Sequence, residues 1–152
     1  MKPYVLLFAV FAVTAGVVMA RTPAPSTAEV YFIMPEDSAT VTSPVRIVFG
    51  LRGMGVAPAG VERSNTGHHH LLIDTGLPAS DQPIPADQNH VHFGGGQTET
   101  TIELAPGTHT LQLLLGDQLH IPHDPPVLSE RITITVAEPP PTSPSDGSNE
   151  DN

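Results

Sequence analysis

Apolar and polar residues alternate with period two in several short segments of this chain. No segment carries a capped apolar stripe of helical period. The clearest alternation is at 45–51, where Val45, Ile47, Phe49 and Leu51 share one face and Arg46 and Arg52 take the other. Residues 108–115 repeat it, with Leu111, Leu113 and Leu115 on one face and Gln112 opposite. Ile132, Ile134 and Val136 alternate with Arg131, Thr133 and Thr135. The same reading predicts strands at 29–34, 68–74, 90–93 and 98–104. Loops rich in proline, glycine and polar residues separate them, at 56–67, 75–89, 105–107 and 116–126. About seven short strands over roughly 110 residues predict a single immunoglobulin-like antiparallel β-sandwich.

The two ends read differently. Residues 1–20 hold one early cation, Lys2, and 16 hydrophobic residues, ending in Val18, Met19 and Ala20. That is the pattern of a cleaved signal peptide, and the run is short for a membrane anchor and lacks a basic stop-transfer flank. Residues 21–28 (RTPAPSTA) are expected to be a linker, 29–137 the sandwich domain, and 138–152 a disordered, acidic and proline-rich tail. The expected location is periplasmic or secreted, with no membrane span after signal cleavage.

Charge and composition narrow the chemistry. Six Lys and Arg oppose 16 Asp and Glu, for a net charge of −10. Losing Lys2 with the signal segment would take that to −11. Binding of nucleic acid through its phosphates is excluded on this balance. The absence of cysteine removes disulfides, thiolate metal sites and thiol catalysis. The chain also has no nucleophile elbow, phosphate loop or zinc-protease motif, so no catalytic residue and no organic cofactor is expected.

Histidine changes the picture. All eight fall between His68 and His123. Residues two apart on a strand point to the same face. His68 and His70 therefore share a face, as do His90 and His92. His120 and His123 have a turn spacing. In an immunoglobulin-like order the loops near these three groups gather at one pole. The candidate metal ligands are thus His68, His70, His90, His92, His120 and His123. His109 starts its strand at the opposite pole and reads as structural. Asp74, Asp117 and Asp124 read as turn-formers beside these groups. Ligation by imidazole nitrogen favours Cu(II) or Zn(II). Met34 and Met54 lie away from the histidines, which leaves no sulfur-rich cuprous site.

Five stretches carry a family resemblance. They are 67–74 (GHHHLLID), 83–87 (PIPAD), 89–97 (NHVHFGGGQ), 106–112 (PGTHTLQ) and 116–126 (GDQLHIPHDPP), with Ser129 and Glu130 following. Together they resemble the exported bacterial domain-of-unknown-function 4399 family. The resemblance implies a small, exported, β-rich domain and no established activity.

Two roles follow as expectations. The first is an exported domain that binds Cu(II) or Zn(II) through clustered histidines, for metal binding or handover. The alternative is a cell-envelope module that binds a protein partner, its histidines forming a hydrogen-bonded structural cluster. An enzyme using metal-bound water would need an open ligand position and a neighbouring acid or base. The sequence identifies neither. A site of three or four ordinary imidazoles should also lose its ion steeply between about pH 7 and pH 5.

Overall fold

The computed structural model describes residues 21–139. The expected signal segment and nearly all of the expected tail lie outside the described residues. Nine strands form among the described residues, and no helix. They are β1 (Glu29–Met34), β2 (Thr40–Val41), β3 (Val45–Arg52), β4 (Gly55–Val56), β5 (Thr66–Ile73), β6 (His90–His92), β7 (Glu99–Ile102), β8 (Gly107–Gly116) and β9 (Ile132–Val136). Seven match the strands expected from alternation. The two additional strands, β2 and β4, have two residues each and pair in parallel with β9 and β5. A two-residue strand has no room to show alternation.

The strands form two sheets. The smaller is antiparallel, in the order β1-β3-β7. The larger runs β2-β9-β8-β5-β4, and β6 pairs with β5 antiparallel further along. One hydrophobic core joins Val30, Val45, Ile47 and Phe49 of the small sheet to Leu71, Leu111, Leu113, Leu115, Ile134 and Val136 of the large one. The alternating faces read from sequence are these core faces. The fold is therefore an all-β sandwich.

The large sheet is buried on its outer face too. Its central strand β5 is buried from Gly67 to Ile73. Leu72 and Leu114 point away from the sandwich core and pack with Ile84, which comes from the 75–89 loop. A hydrogen bond from Ile84 N to His120 O, at 2.8 Å, joins that loop to the 117–126 loop. Two proline-containing loops thus cover the outer face of β5.

The segment expected to be a linker is docked on the domain. Ala24 N donates to Asp124 O and Asp124 N to Thr22 O, both at 3.0 Å. Arg21 pairs with the Asp124 carboxylate. Ala24 and Ala28 pack against the core. A Pro/Ser/Thr composition favours a linker only where nothing offers it partners, and here an unpaired loop backbone does.

Candidate metal centre

Strand β5 carries His68, His69 and His70 in succession, so the pleat divides them between two faces. His69 points into the sandwich, 5.2 Å from Phe49 between ring centroids. His68 and His70 point to the outer face, with their rings 4.8 Å apart. Strand β6 then sets His92 directly opposite His70. The rings of that pair lie 5.1 Å apart and nearly parallel, at 26°. His92 is also 5.0 Å from His68.

A fourth ring arrives from the loop after β8. His120 lies 5.0 Å from His68 and 4.7 Å from His92, edge-on to both, and 6.0 Å from His70. Its backbone is left-handed, with φ of 67°. That conformation is costly for a residue with a side chain and needs support from its surroundings. Asp117 supplies it. The Asp117 carboxylate accepts from Leu119 N at 2.9 Å and Ile121 N at 3.0 Å, and its carbonyl accepts from His120 N at 2.9 Å.

The histidines meet on the outer face of the large sheet, under two loops, and not at an open pole. Ligand nitrogens of His68, His70 and His92 all lie within 4.8 Å of one another. Three nitrogens about 2.1 Å from one ion sit at most about 4.2 Å apart. Ring rotations that close the group by about half an ångström would complete a sphere. His68 and His70 are fully buried, and His92 is exposed, so the group opens to solvent at His92.

The donor set is chemically unfinished. Neither ring nitrogen of His68 nor of His70 has a hydrogen-bond partner, although all four are buried. A buried imidazole without a partner pays a desolvation penalty for both nitrogens. His69, on the inner face, has unpartnered nitrogens as well, but only His68 and His70 have theirs beside the other imidazoles, an arrangement that fits an ion-binding group. Burial, reinforced by His120 and His92, pushes the His68 imidazole down to about 4. Burial, reinforced by His68 and His92, pushes His70 down to about 3. His92 is also lowered, first by desolvation and then by His120. Both buried rings are neutral at physiological pH, the form that binds metal.

Two expected ligands stand apart. His90 shares a face with His92 but lies opposite Leu72, and its Nδ1 engages the Asp87 carboxylate at 2.9 Å. His123 is buried, with Nε2 3.2 Å from Thr66 O and Nδ1 3.4 Å from Leu115 O. It holds the chain as β5 begins. His109 pairs with Asp74 at 2.7 Å and its Nε2 bonds Ala105 O at 2.9 Å, a structural clamp on the turn before β8.

Sequence reasoning missed two glycines. A Cβ at Gly116 would lie 2.7 Å from His70 Cε1 and 3.1 Å from its Nδ1. A Cβ at Gly94 would strike the His92 ring. Both positions are kept bare by the rings beside them. Their sequence signal is a glycine at the end of a strand, which by itself reads as a turn.

With this geometry in place, three comparisons bear on the chain. A family model described as "Domain of unknown function (DUF4399)" matches residues 47–137, a stretch that holds all eight histidines. No curated protein matches the chain. Among solved structures, the chain is similar to one from the fibronectin(III)-like modules of Clostridium thermocellum CbhA. That likeness has 14% identity and a TM-score of 0.34, over 71% of this chain and 95% of that one.

Proposed function

The chain belongs to the domain-of-unknown-function 4399 family, and from its imidazole group we propose that it is an exported β-sandwich that binds a divalent transition metal, Cu(II) or Zn(II). The ligands are His68, His70 and His92, with His120 beside them. One observation carries the reading: the buried, unpartnered imidazoles of His68 and His70 on β5 have ligand nitrogens within 4.8 Å of each other and of the exposed His92 on the paired strand β6. Sulfur-free ligation by neutral imidazole suits Cu(II) and Zn(II) and disfavours hard cations that need oxygen. The role is binding and handover. Two ligands are fixed by a central strand, while His92 sits on a three-residue edge strand at the solvent boundary. An ion can there change partners without opening the core. Export rests on the apolar run at 1–20 with its early cation Lys2.

The test is calorimetry on dialysed, tag-free protein with Cu(II) and Zn(II). One ion per chain should bind more tightly than micromolar, and His70→Ala or His92→Ala should abolish that binding. Wild-type protein without such binding overturns the reading.

A further inference from the structure

The ligands proposed above are all neutral, so an ion among them brings an uncompensated double charge beneath two loops. Burying such a charge costs several kcal/mol unless an opposite charge lies close. Among the described residues one acidic side chain is buried, that of Asp117, at 3% exposure. Its backbone adjoins the histidine group. Its neighbour Gly116 pairs with His68 across the β5–β8 ladder and abuts the His70 ring. Its own carbonyl holds His120 N. The carboxylate is fixed by the amides of Leu119 and Ile121 and by the Thr22 hydroxyl, which donates at 2.7 Å. Among the described residues no Lys or Arg forms an ion pair with it, and Arg21, which lines the same pocket, is paired with Asp124.

We infer that Asp117 is the counter-charge of this metal site, a buried carboxylate that makes a cage of neutral imidazoles prefer a dication to a monocation. The inference rests on the metal-binding reading and adds the selectivity of the site. Coulomb attraction scales with the charge on the ion. Removing one negative charge should therefore weaken a dication by twice the logarithm by which it weakens a monocation.

The experiment compares wild type with Asp117→Asn. Zn(II) and Cu(I) affinities are measured by chelator competition, the latter under anaerobic reducing conditions. Asparagine keeps an oxygen for the Leu119 and Ile121 amides and removes the charge. The expected result is a loss of about tenfold or more for Zn(II), and about threefold for Cu(I) where the Zn(II) loss is tenfold. Asp117→Glu should restore much of the Zn(II) preference. Should Asp117→Asn fail to fold, Thr22→Lys sets an ammonium against the same carboxylate from a half-buried position, and the same two-to-one ratio is expected. Equal losses for the two ions would reveal a merely structural role and overturn the inference. Unchanged affinities would overturn it too. In both cases metal binding that depends on His70 would still stand. Wild-type protein that binds neither ion removes the metal-binding reading and this inference together.

Discussion

His70 and His92 face each other across the β5–β6 ladder with their rings stacked 5.1 Å apart, and neither nitrogen of His70 has a hydrogen-bond partner. A buried polar ring kept in this state costs stability in the metal-free protein. Replacing it with an apolar side chain of similar size should relieve that cost. His70→Leu is expected to raise the stability of metal-free protein by about 1–3 kcal/mol while abolishing metal binding. Urea unfolding with and without a chelator checks both halves. A variant that loses stability equally with and without metal would contradict the functional role given to this ring.

Metal should act as a stabiliser by mass action, since the unfolded chain lacks the assembled site. At a free concentration 100 times the Kd, the gain is about 2.7 kcal/mol. Wild-type melting temperature should rise with added Zn(II), and His68→Ala should show no rise. His123→Ala should lower stability yet keep the metal-dependent rise, because His123 bonds backbone carbonyls outside the group. Thermal denaturation of the three proteins separates these roles.

Gly116→Ala tests the fit of the rings. The added Cβ would stand 2.7 Å from His70 Cε1, closer than van der Waals contact allows. His70 must then leave the position in which it converges with His68 and His92. A loss of metal affinity of about tenfold or more is expected, at about 1–3 kcal/mol of overpacking cost to the fold. Calorimetric titration of the variant reads the first and urea unfolding the second.

Much of this was legible in the sequence. Alternation placed β3, β8 and β9 and their core faces, because each strand has one face on the sandwich core. The period-two rule put His68 with His70 and His90 with His92. It could not select among them. That depends on register: pairing His70 with His92 leaves His90 opposite Leu72, outside the group. The burial of β5 on both faces was also hidden, since the cover comes from loops whose path composition does not reveal. His69 illustrates the limit. It stands inside a histidine run and belongs to the other face, against Phe49.

The His109–Asp74 clamp should respond to pH in the opposite sense to the buried rings. Asp74 raises the His109 imidazole above its usual range, first through its hydrogen bond. A group raised on folding contributes stability that is fully present below its unfolded value of about 6.5 and is lost as pH rises through the folded value. His109→Gln should therefore cost more stability at pH 5.5 than at pH 9. Urea unfolding of wild type and variant at both values measures the difference.

Metal affinity as a function of pH is the sharpest test of the site's environment. Ordinary imidazoles near 6.5 would take up protons between pH 7 and pH 5 and release the ion steeply across that window. The structure corrects that expectation for the buried ligands. His68 is lowered to about 4 and His70 to about 3, in each case chiefly by burial. His92 is lowered in the same direction. Protons compete with metal only as pH approaches these values. His68 and His70 should add little pH dependence between pH 7 and pH 5, so affinity should fall much less there than for three ordinary imidazoles, and steeply below pH 5. The metal-free fold obeys the matching sign. Groups lowered on folding in the case of histidine leave the unfolded chain holding more protons, so stability is full above about 6.5 and declines as pH drops toward 4. His69, lowered to about 4 by burial, adds to that decline without touching the metal. The measurement is Zn(II) affinity in one series of non-coordinating buffers, with the folded fraction followed by circular dichroism at each pH. A steep loss of affinity between pH 7 and pH 5 in protein that remains folded would mean the ion is held by exposed, ordinary imidazoles, and would move the site away from His68 and His70.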